Sequence, residues 1–393
     1  MNTPLKRTWT QININNLENN LNCIKKQLND DCKIMAIVKA DAYGHGAPFI
    51  ANVLAKDEKI AYFAVSNIDE ACQIRHGGIT KDILILGFTP EEFFENLVSD
   101  NITQTVFSVE YATLLSNFAK SNNVVIKVHI KIDSGMGRIG FMCSKDELIY
   151  NSINDILKVL ALPNLEFEGI FTHFAVSDEL EKEFTIKQYN NFMTVIKLLN
   201  KKGFDFKWKH CSNSAAIISF PEMQLNMVRP GIILYGLYPS SCVNHIGLKP
   251  VMSLKTTISQ IKEVDEDITI SYGRTYKTSR KTIVATMPIG YADGFPRILS
   301  NNGDVLVNDT RAPIIGRICM DMTMIDITNV NGCKTNQTVT IFGEDIKNQI
   351  PVEELAEKMH SINYETICLI GKRVPRIYIK DGKEIDFINY IAN

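Results

Sequence analysis

The chain has 393 residues, a length that exceeds one ordinary domain and indicates two domains, or one large barrel with an appended part. Its residues are 45% hydrophobic and 22% charged, and the formal net charge is −2. A protein that binds nucleic acid or a membrane surface would carry a basic excess, so we expect neither partner. The N-terminus lacks the pattern of a signal peptide, no apolar run is long enough to span a bilayer, and the nine cysteines form no C-x-x-C pair. These features predict a cytoplasmic protein with reduced thiols and no metal site.

Apolar, β-branched runs recur through the first part of the chain and predict eight strands. They lie at 33–40, 61–66, 82–87, 103–108, 124–133, 165–174, 206–214 and 225–236. Helical patterns lie between several of them, at 68–78, 108–121 and 144–160, and the last begins with a capping-box spacing of Ser144 and Glu147. Apolar strands that alternate with helices indicate a parallel sheet covered on both faces. Eight such units favour an α/β fold of the (β/α)8 TIM-barrel type, although periodicity alone also allows a doubly wound sheet.

The pattern changes from about Lys249 onward. Strand-like runs separated by Gly, Asn and Asp predict a mostly-β domain, in which only 351–361 has a helical pattern. We therefore predict a barrel domain at 1–246 and a C-terminal β domain at 247–393.

Several reactive side chains stand at the predicted strand ends, where α/β barrels carry their active sites. These are Lys39, Ser66, Asp133, His173, the pair Asn213–Ser214, and Arg229 shortly afterwards. Lys39 is the most informative, because a lysine in apolar surroundings loses its proton easily and a neutral amine is a nucleophile toward aldehydes. The alternative is a lysine whose amine simply extends into solvent. Tyr43 and the glycines beside it favour a site, since they offer a hydroxyl and close approach of the backbone.

The stretch DSGMGRIG at 133–140 matches G-x-G-x-x-G through Gly135, Gly137 and Gly140. It follows a predicted strand, so a dinucleotide-binding loop is one alternative, but a single match of this kind is weak evidence. Arg138 within it is a fixed cation that can bind a carboxylate with two hydrogen bonds, or else a loop arginine in an ion pair.

Two further residues of the barrel half have both a structural and a functional interpretation. His173 is either a core histidine or a ring that stacks on a planar cofactor. Arg229 is either half of a buried ion pair or part of a site where amides near Gly231 bind a phosphate. In the C-terminal half, Tyr272 and Met320 taken alone indicate no catalytic role.

Seven segments, in order across both halves, resemble the alanine racemase family of pyridoxal 5′-phosphate (PLP) enzymes. They are AIVKADAYGHG, KIDSGMGRIGF, GIFTHFA, NMVRPGIILYG, SYGRTY, IGYADGFPR and GRICMDM. The resemblance runs from TWTQININNL to RVPRIY. It implies a fold-III PLP enzyme that interconverts L- and D-alanine and supplies D-alanine for peptidoglycan, and a homodimer with shared active sites.

The resemblance also implies a role for individual residues. Lys39 would bind PLP covalently and act as one base, and Tyr272 would be the second base, contributed by the β domain of a partner subunit. Arg138 would orient that tyrosine and the phenolate side of PLP. Arg138 and Met320 would be the substrate-binding residues, with Met320 lining the pocket, and Lys131 occupies a position that is often carbamylated. The remaining PLP-binding residues would be Tyr43, His173, Asn213, Ser214, Arg229, Gly231, Ile232 and Tyr378.

Other activities fit parts of the same pattern. A serine or broad-spectrum racemase shares this architecture, although serine racemases of the vancomycin-resistance type usually add a membrane domain and carry a smaller polar residue where this chain has Tyr378. A non-enzymatic PLP carrier resembles the barrel half alone. A fold-III decarboxylase would need a cysteine-bearing site motif that is not evident here.

Overall fold

The computed structural model describes residues 4–392, which form two compact units. The barrel unit comprises Glu18–Ala42 and Ala47–Leu248, whereas the C-terminal unit comprises the residues up to Leu17, Tyr43–Gly46, and those from Lys249 onward. The structure thus differs from the predicted ranges, 1–246 and 247–393, at the N-terminus and at Tyr43–Gly46, which both belong to the C-terminal unit. The first strand, β1 (Thr8–Asn13), pairs with strands of the C-terminal unit on both of its edges, a long-range pairing that local sequence cannot reveal.

Eight strands of the barrel unit form one parallel sheet. They are β2 (Lys33–Ile37), β3 (Ile60–Val65), β4 (Asp82–Ile85), β5 (Thr103–Val106), β6 (Ile126–Asp133), β8 (Leu165–Phe171), β9 (Trp208–His210) and β10 (Met227–Val228), and the two-residue β7 (Phe141–Met142) pairs with β6. The order is β10-β2-β3-β4-β5-β6-β8-β9, which is a nearly closed barrel. A hydrogen bond of 2.9 Å from the Arg229 amide to the Ser212 carbonyl joins the segments that follow β10 and β9. The prediction of a TIM-type barrel is confirmed.

Helices alternate with these strands. They are α1 (Ile14–Lys25), α2 (Ala47–Leu54), α3 (Ile68–His76), α4 (Phe94–Ser99), α5 (Val109–Ser121), α6 (Asp146–Leu160), α7 (Glu183–Lys201) and α8 (Ser214–Ser219). The predicted capping box of α6 is wrong. The helix begins two residues after Ser144, so the Ser144 hydroxyl contacts the Met142 sulfur at 3.7 Å instead of a helix amide.

The C-terminal unit is mostly β, as predicted. Its further strands are β11 (Met252–Thr257), β12 (Gln260–Val264), β13 (Thr269–Ile270), β14 (Tyr276–Lys277), β15 (Thr282–Met287), β16 (Asp304–Val307), β17 (Thr310–Pro313), β18 (Thr323–Asp326), β19 (Thr338–Glu344), β20 (Gln349–Ile350), β21 (Arg376–Lys380) and β22 (Lys383–Ile388). The main sheet has the order β17-β16-β19-β11-β1-β21-β22. The predicted helix is α9 (Val352–Lys358), and a second one, α10 (Asn363–Cys368), was missed because six residues are too few to show a helical period. Among the described residues, no helix has both the length and the apolar character that crossing a membrane requires.

The backbone forms a left-handed turn just after β2. Residues Lys39–Gly44, here called the Lys39 turn, contain four consecutive non-glycine residues, from Ala40 to Tyr43, with φ between 52° and 56°. Left-handed backbone costs an L-residue roughly 1–2 kcal/mol, so surrounding contacts must hold this turn. Two of them are hydrogen bonds of 2.8 Å, from the Ala42 amide to the Val38 carbonyl and from the Ala47 amide to Oδ1 of Asp41.

Candidate active site

The barrel places three of the predicted residues at the C-terminal ends of its strands. Lys39 stands two residues after β2, His173 two residues after β8, and Arg229 directly after β10. Burial, and the charges of Arg229, Lys131, Arg138 and Lys39, hold the pKa of His173 well below its ordinary value. The His173 ring therefore lies within electrostatic reach of four cationic side chains that are distant in the sequence.

Arg229 is buried and is held by uncharged acceptors. Its guanidinium donates to Nδ1 of His210 at 2.9 Å, to the Thr172 carbonyl at 2.7 Å and to the Cys211 carbonyl at 3.1 Å, with a longer bond to Nδ1 of His173 at 3.4 Å. In the part of the chain that the structure describes, Arg229 forms no salt bridge, so the alternative of a buried ion pair is wrong. Burial is the main reason that its pKa falls to about 10. The barrel interior thus retains a cation without a carboxylate beside it.

Lys131 is a second buried cationic residue. Its Nζ donates to the Ile132 carbonyl at 2.9 Å and lies 5.2 Å from the centroid of the Phe171 ring. Burial, together with the charge of Arg229, lowers the pKa of Lys131 to about 7. A large share of this side chain is therefore a neutral amine near physiological pH.

Asp133 is enclosed by the glycine-containing loop that follows β6. Its Oδ1 accepts hydrogen bonds from the amides of Gly135, Met136 and Gly137 at 2.8–3.1 Å, and its Oδ2 accepts from the Arg138 amide at 3.0 Å. Burial alone would raise the pKa of Asp133, but these amides and the charge of Lys131 lower it. The dinucleotide alternative is therefore wrong, because the loop amides bind Asp133, and the short strand β7 follows them where that motif needs a helix.

Another predicted group lies around the start of α8. Asn213 is its N-cap, and its Oδ1 accepts from the Ala216 amide at 3.0 Å. The buried Ser214 hydroxyl accepts from the Gly231 amide at 2.9 Å, and a 3-10 helix begins at Ile232. The structure thus brings Ser214, Gly231 and Ile232 together as a cluster of hydroxyl and amide groups.

Four predicted site residues belong to the C-terminal unit. Tyr43 and Tyr378 are buried, and the Tyr378 hydroxyl donates to the His45 carbonyl at 3.0 Å. Tyr272 and Met320 are 70% and 53% exposed. Large exposed side chains such as Tyr272 and Met320 are available to another protein chain.

Two histidines inside the barrel were missed from the sequence. Nε2 of His210 lies 3.0 Å from Nδ1 of His129, and His210 also accepts from Arg229. An arginine can only donate, so Nδ1 of His210 is unprotonated, and its Nε2 carries the proton that is donated to His129. The sequence does contain a pattern that indicates His129: His129, Lys131 and Asp133 occupy alternate positions of one apolar strand, so they lie on the same face of it.

Both histidines are held neutral, which predicts a specific dependence of stability on pH. Burial, followed by the charge of Arg229, lowers the pKa of His129 from 6.5 to about 3 and that of His210 well below 6.5. The unfolded chain binds more protons than the folded one between these values, so the free energy of unfolding must fall as the pH falls below about 6.5.

We expect His129→Leu to reduce this slope at pH 5 by about 1.4 kcal/mol per pH unit, as measured by urea unfolding from pH 4 to 8. The control is Ile130→Val, which trims the buried neighbour and should lower the free energy of unfolding by about 1 kcal/mol at every pH. An unchanged slope in His129→Leu would show that His129 titrates alike in the folded and unfolded chains.

Fold and site together define an α/β-barrel enzyme with a lysine and a group of cations at the C-terminal strand ends. Comparison with known proteins identifies the family. The models for the alanine racemase N-terminal and C-terminal domains match residues 12–239 and 251–378. The alanine racemase of Clostridium tetani is 45% identical over 98% of this chain and 99% of its own length.

Solved structures of alanine racemases are similar to this chain as well. The alanine racemase of Clostridium difficile 630 has a TM-score of 0.94 and 43% identity over 99% of this chain and 100% of that one. That of Bacillus anthracis, solved with bound L-Ala-P, has a TM-score of 0.90 and 37% identity over 99% of both chains. The chain belongs to the alanine racemase family and is an isomerase that racemises alanine. The resemblance stated from the sequence is confirmed.

Proposed function

We propose that the chain racemises alanine with PLP as its cofactor, through two bases, in a homodimer with shared active sites. The observation that carries this proposal is the placement of three side chains at the strand ends: Lys39 follows β2, His173 follows β8, and the Arg229 guanidinium lies 3.4 Å from Nδ1 of His173. PLP is an aldehyde with a phosphate and a phenolate, and the site fits it because Lys39 offers an amine and Arg138 and Arg229 offer guanidinium cations. The nearby carboxylate, Asp133, accepts hydrogen bonds from loop amides.

The residues that would hold PLP fall into two sets. Lys39 would bind its aldehyde carbon, and His173 would flank its ring. The phosphate would be bound by the Ser214 hydroxyl and the amides of Gly231 and Ile232, in a backbone that Asn213 orders as the N-cap of α8. Tyr43 and Tyr378 are the two further residues that we propose to bind the phosphate. The Tyr378 hydroxyl, which donates to His45 here, would have to redirect its proton.

Bound PLP withdraws electrons from the α-carbon of an attached amino acid, which makes the α-proton acidic. Lys39 would take or return that proton on one face, and Tyr272 of the partner subunit on the other. A tyrosine acts as a base near neutral pH only beside positive charge, which Arg138 would supply. The exposure of Tyr272 and Met320 supports a role for the C-terminal domain, predicted at 247–393, in the active site of the partner.

Arg229 would face the pyridine nitrogen and keep its own protons. Its guanidinium donates to carbonyls and to unprotonated imidazole nitrogens, and a guanidinium gives up a proton only with difficulty. Arg229 would thereby leave that nitrogen unprotonated, which would limit electron withdrawal and disfavour side reactions such as transamination.

Arg229→Glu should therefore slow racemisation roughly a hundredfold and raise the formation of pyruvate from alanine, because a carboxylic acid can hold a proton at that nitrogen. The control is Arg229→Lys, which retains a cation and should produce little pyruvate. The two products, D-alanine and pyruvate, can be quantified by chromatography. Equal pyruvate formation by the wild type and Arg229→Glu would contradict this role of Arg229.

We also propose that Lys131 is carbamylated. Its neutral amine would attack the carbon of dissolved CO₂, forming an N–C bond and releasing one proton to solvent, and the resulting anion would pair with Arg138. Protein equilibrated with ¹³C-bicarbonate should show a carbamate carbon resonance in its NMR spectrum, and Lys131→Met should lack it. The same resonance in both proteins would place the modification elsewhere.

The proposal favours alanine over serine, with Tyr378 and Met320 limiting the substrate pocket. One hydroxyl is a small discriminator in an apolar site, so the two substrates must be compared directly. We expect purified protein supplied with PLP to form D-alanine from L-alanine at least about tenfold more efficiently than D-serine from L-serine, as resolved by chiral chromatography. Faster conversion of serine would show that serine is the preferred substrate. Full activity without PLP would refute the proposal that PLP is the cofactor. In the cell we place this reaction in the cytoplasm, where it would supply D-alanine for peptidoglycan.

A further inference from the structure

We propose that Glu70 is a positioning residue for Lys39, an inference that rests on the proposed role of Lys39. Glu70 lies in the first turn of α3, outside the cationic group around His173. Its Oε1 accepts a hydrogen bond of 2.8 Å from the Ala40 amide, and its Oε2 accepts one of 2.7 Å from the Ser66 amide. One carboxylate thus connects the residues that follow two adjacent barrel strands, β2 and β3.

The bond to Ala40 fixes the peptide between Lys39 and Ala40. Ala40 is also the residue at which the backbone enters the left-handed Lys39 turn, with φ of 52°. On the other side of Lys39, the Val38 amide donates to the Ala64 carbonyl at 3.0 Å. The direction of the Lys39 side chain is therefore set between a strand hydrogen bond before it and Glu70 after it.

A purely helix-capping role does not account for this geometry. Asn67 is the N-cap of α3, and its Oδ1 accepts from the Glu70 amide at 3.0 Å. In a capping box, a glutamate three residues after the N-cap binds the N-cap amide. Glu70 occupies that position but binds Ser66 and Ala40 instead. Its carboxylate thus joins α3 to the Lys39 turn.

The hydrogen bond from Ala40 to Glu70 matters because the backbone of the Lys39 turn is strained. Four consecutive non-glycine residues in the left-handed region relax toward ordinary backbone when their restraints are removed. A hydrogen bond to a charged acceptor is among the stronger restraints available. Loss of the Glu70 carboxylate should therefore release the start of the turn while leaving β2 in the sheet.

Native-state hydrogen exchange, resolved by residue, tests this inference without depending on turnover. In Glu70→Ala, the amides of Ala40 and Ser66 should exchange roughly tenfold faster than in the wild type. The matched control is Asp69→Ala, which removes the same charge from the same helix turn and should leave both amides protected. If Glu70→Ala fails to fold, Glu70→Gln retains one acceptor oxygen and should release only one of the two amides.

The second readout is the reactivity of Lys39. PLP is added, the adduct is reduced with borohydride, and its rate of formation at Lys39 is followed by mass spectrometry. We expect Glu70→Ala to slow this reaction and to lower kcat for L-alanine roughly tenfold with KM nearly unchanged, whereas Asp69→Ala matches the wild type. Unchanged exchange at Ala40, or faster exchange with wild-type reactivity of Lys39, would overturn the positioning role. A wild-type protein without any adduct at Lys39 would instead refute the proposed function, and the amide exchange would still report on Glu70.

Discussion

Replacement of Lys39 by alanine should abolish covalent binding of PLP and lower the rate of racemisation at least about a thousandfold. The reason is that Lys39 has two proposed tasks, attachment of the cofactor and proton transfer on one face. Neither task can pass to Lys131, whose Nζ is buried and bonded to the Ile132 carbonyl. The measurements are the visible absorbance of protein supplied with PLP, its loss on addition of borohydride, and the rate of D-alanine formation.

The matched control is Lys33→Ala, which removes a lysine from the start of the same strand, β2. It should leave both absorbance and activity unchanged. A Lys39→Ala protein that still yields a reduced PLP adduct on another lysine would contradict the assignment of Lys39.

The second large effect concerns Tyr272 and the dimer. Tyr272→Phe removes the proposed second base but leaves the ring, and should lower racemisation at least about a hundredfold while PLP remains bound. Because Tyr272 would act in the active site of the partner, a mixture of inactive Lys39→Ala and inactive Tyr272→Phe chains should regain activity. A mixed dimer has one site with both defects and one with neither.

Random exchange between equal amounts makes about half of all dimers mixed, so the activity should approach about a quarter of the wild-type value per site. Exchange of subunits can be verified independently with chains that carry different affinity tags. If mixed dimers form and no activity returns, both residues act within one chain and the shared-site model is wrong.

The strand ends of the barrel were predictable because local physics determines them. The segments at 33–40 and 124–133 are apolar and β-branched, and each has a polar residue at or near its end, so the sequence pattern alone places Lys39 and Asp133 at the rim. The identity of the family was also predictable, because seven segments match in order.

Other features depend on contacts that a linear pattern does not show. The Lys39 turn is left-handed in residues that ordinarily avoid that conformation, and tertiary hydrogen bonds such as that to Glu70 hold it. The glycine spacing at 133–140 matches a dinucleotide-binding loop, but the loop amides bind Asp133 instead of a ligand phosphate. The pairing of His129 with His210 joins residues 81 positions apart, which only the closed sheet brings together.

The central claim is that two different bases serve the two faces of the substrate. The measurement that tests it most directly is a single turnover of L-alanine, with ordinary hydrogen at Cα, carried out in D₂O and analysed by mass spectrometry of the D-alanine formed. Lys39 and Tyr272 would exchange their protons with solvent separately, so the account predicts that the D-alanine carries solvent deuterium at Cα. D-Alanine that retains the original α-hydrogen would show that one base moves the same proton across both faces, and would contradict the account.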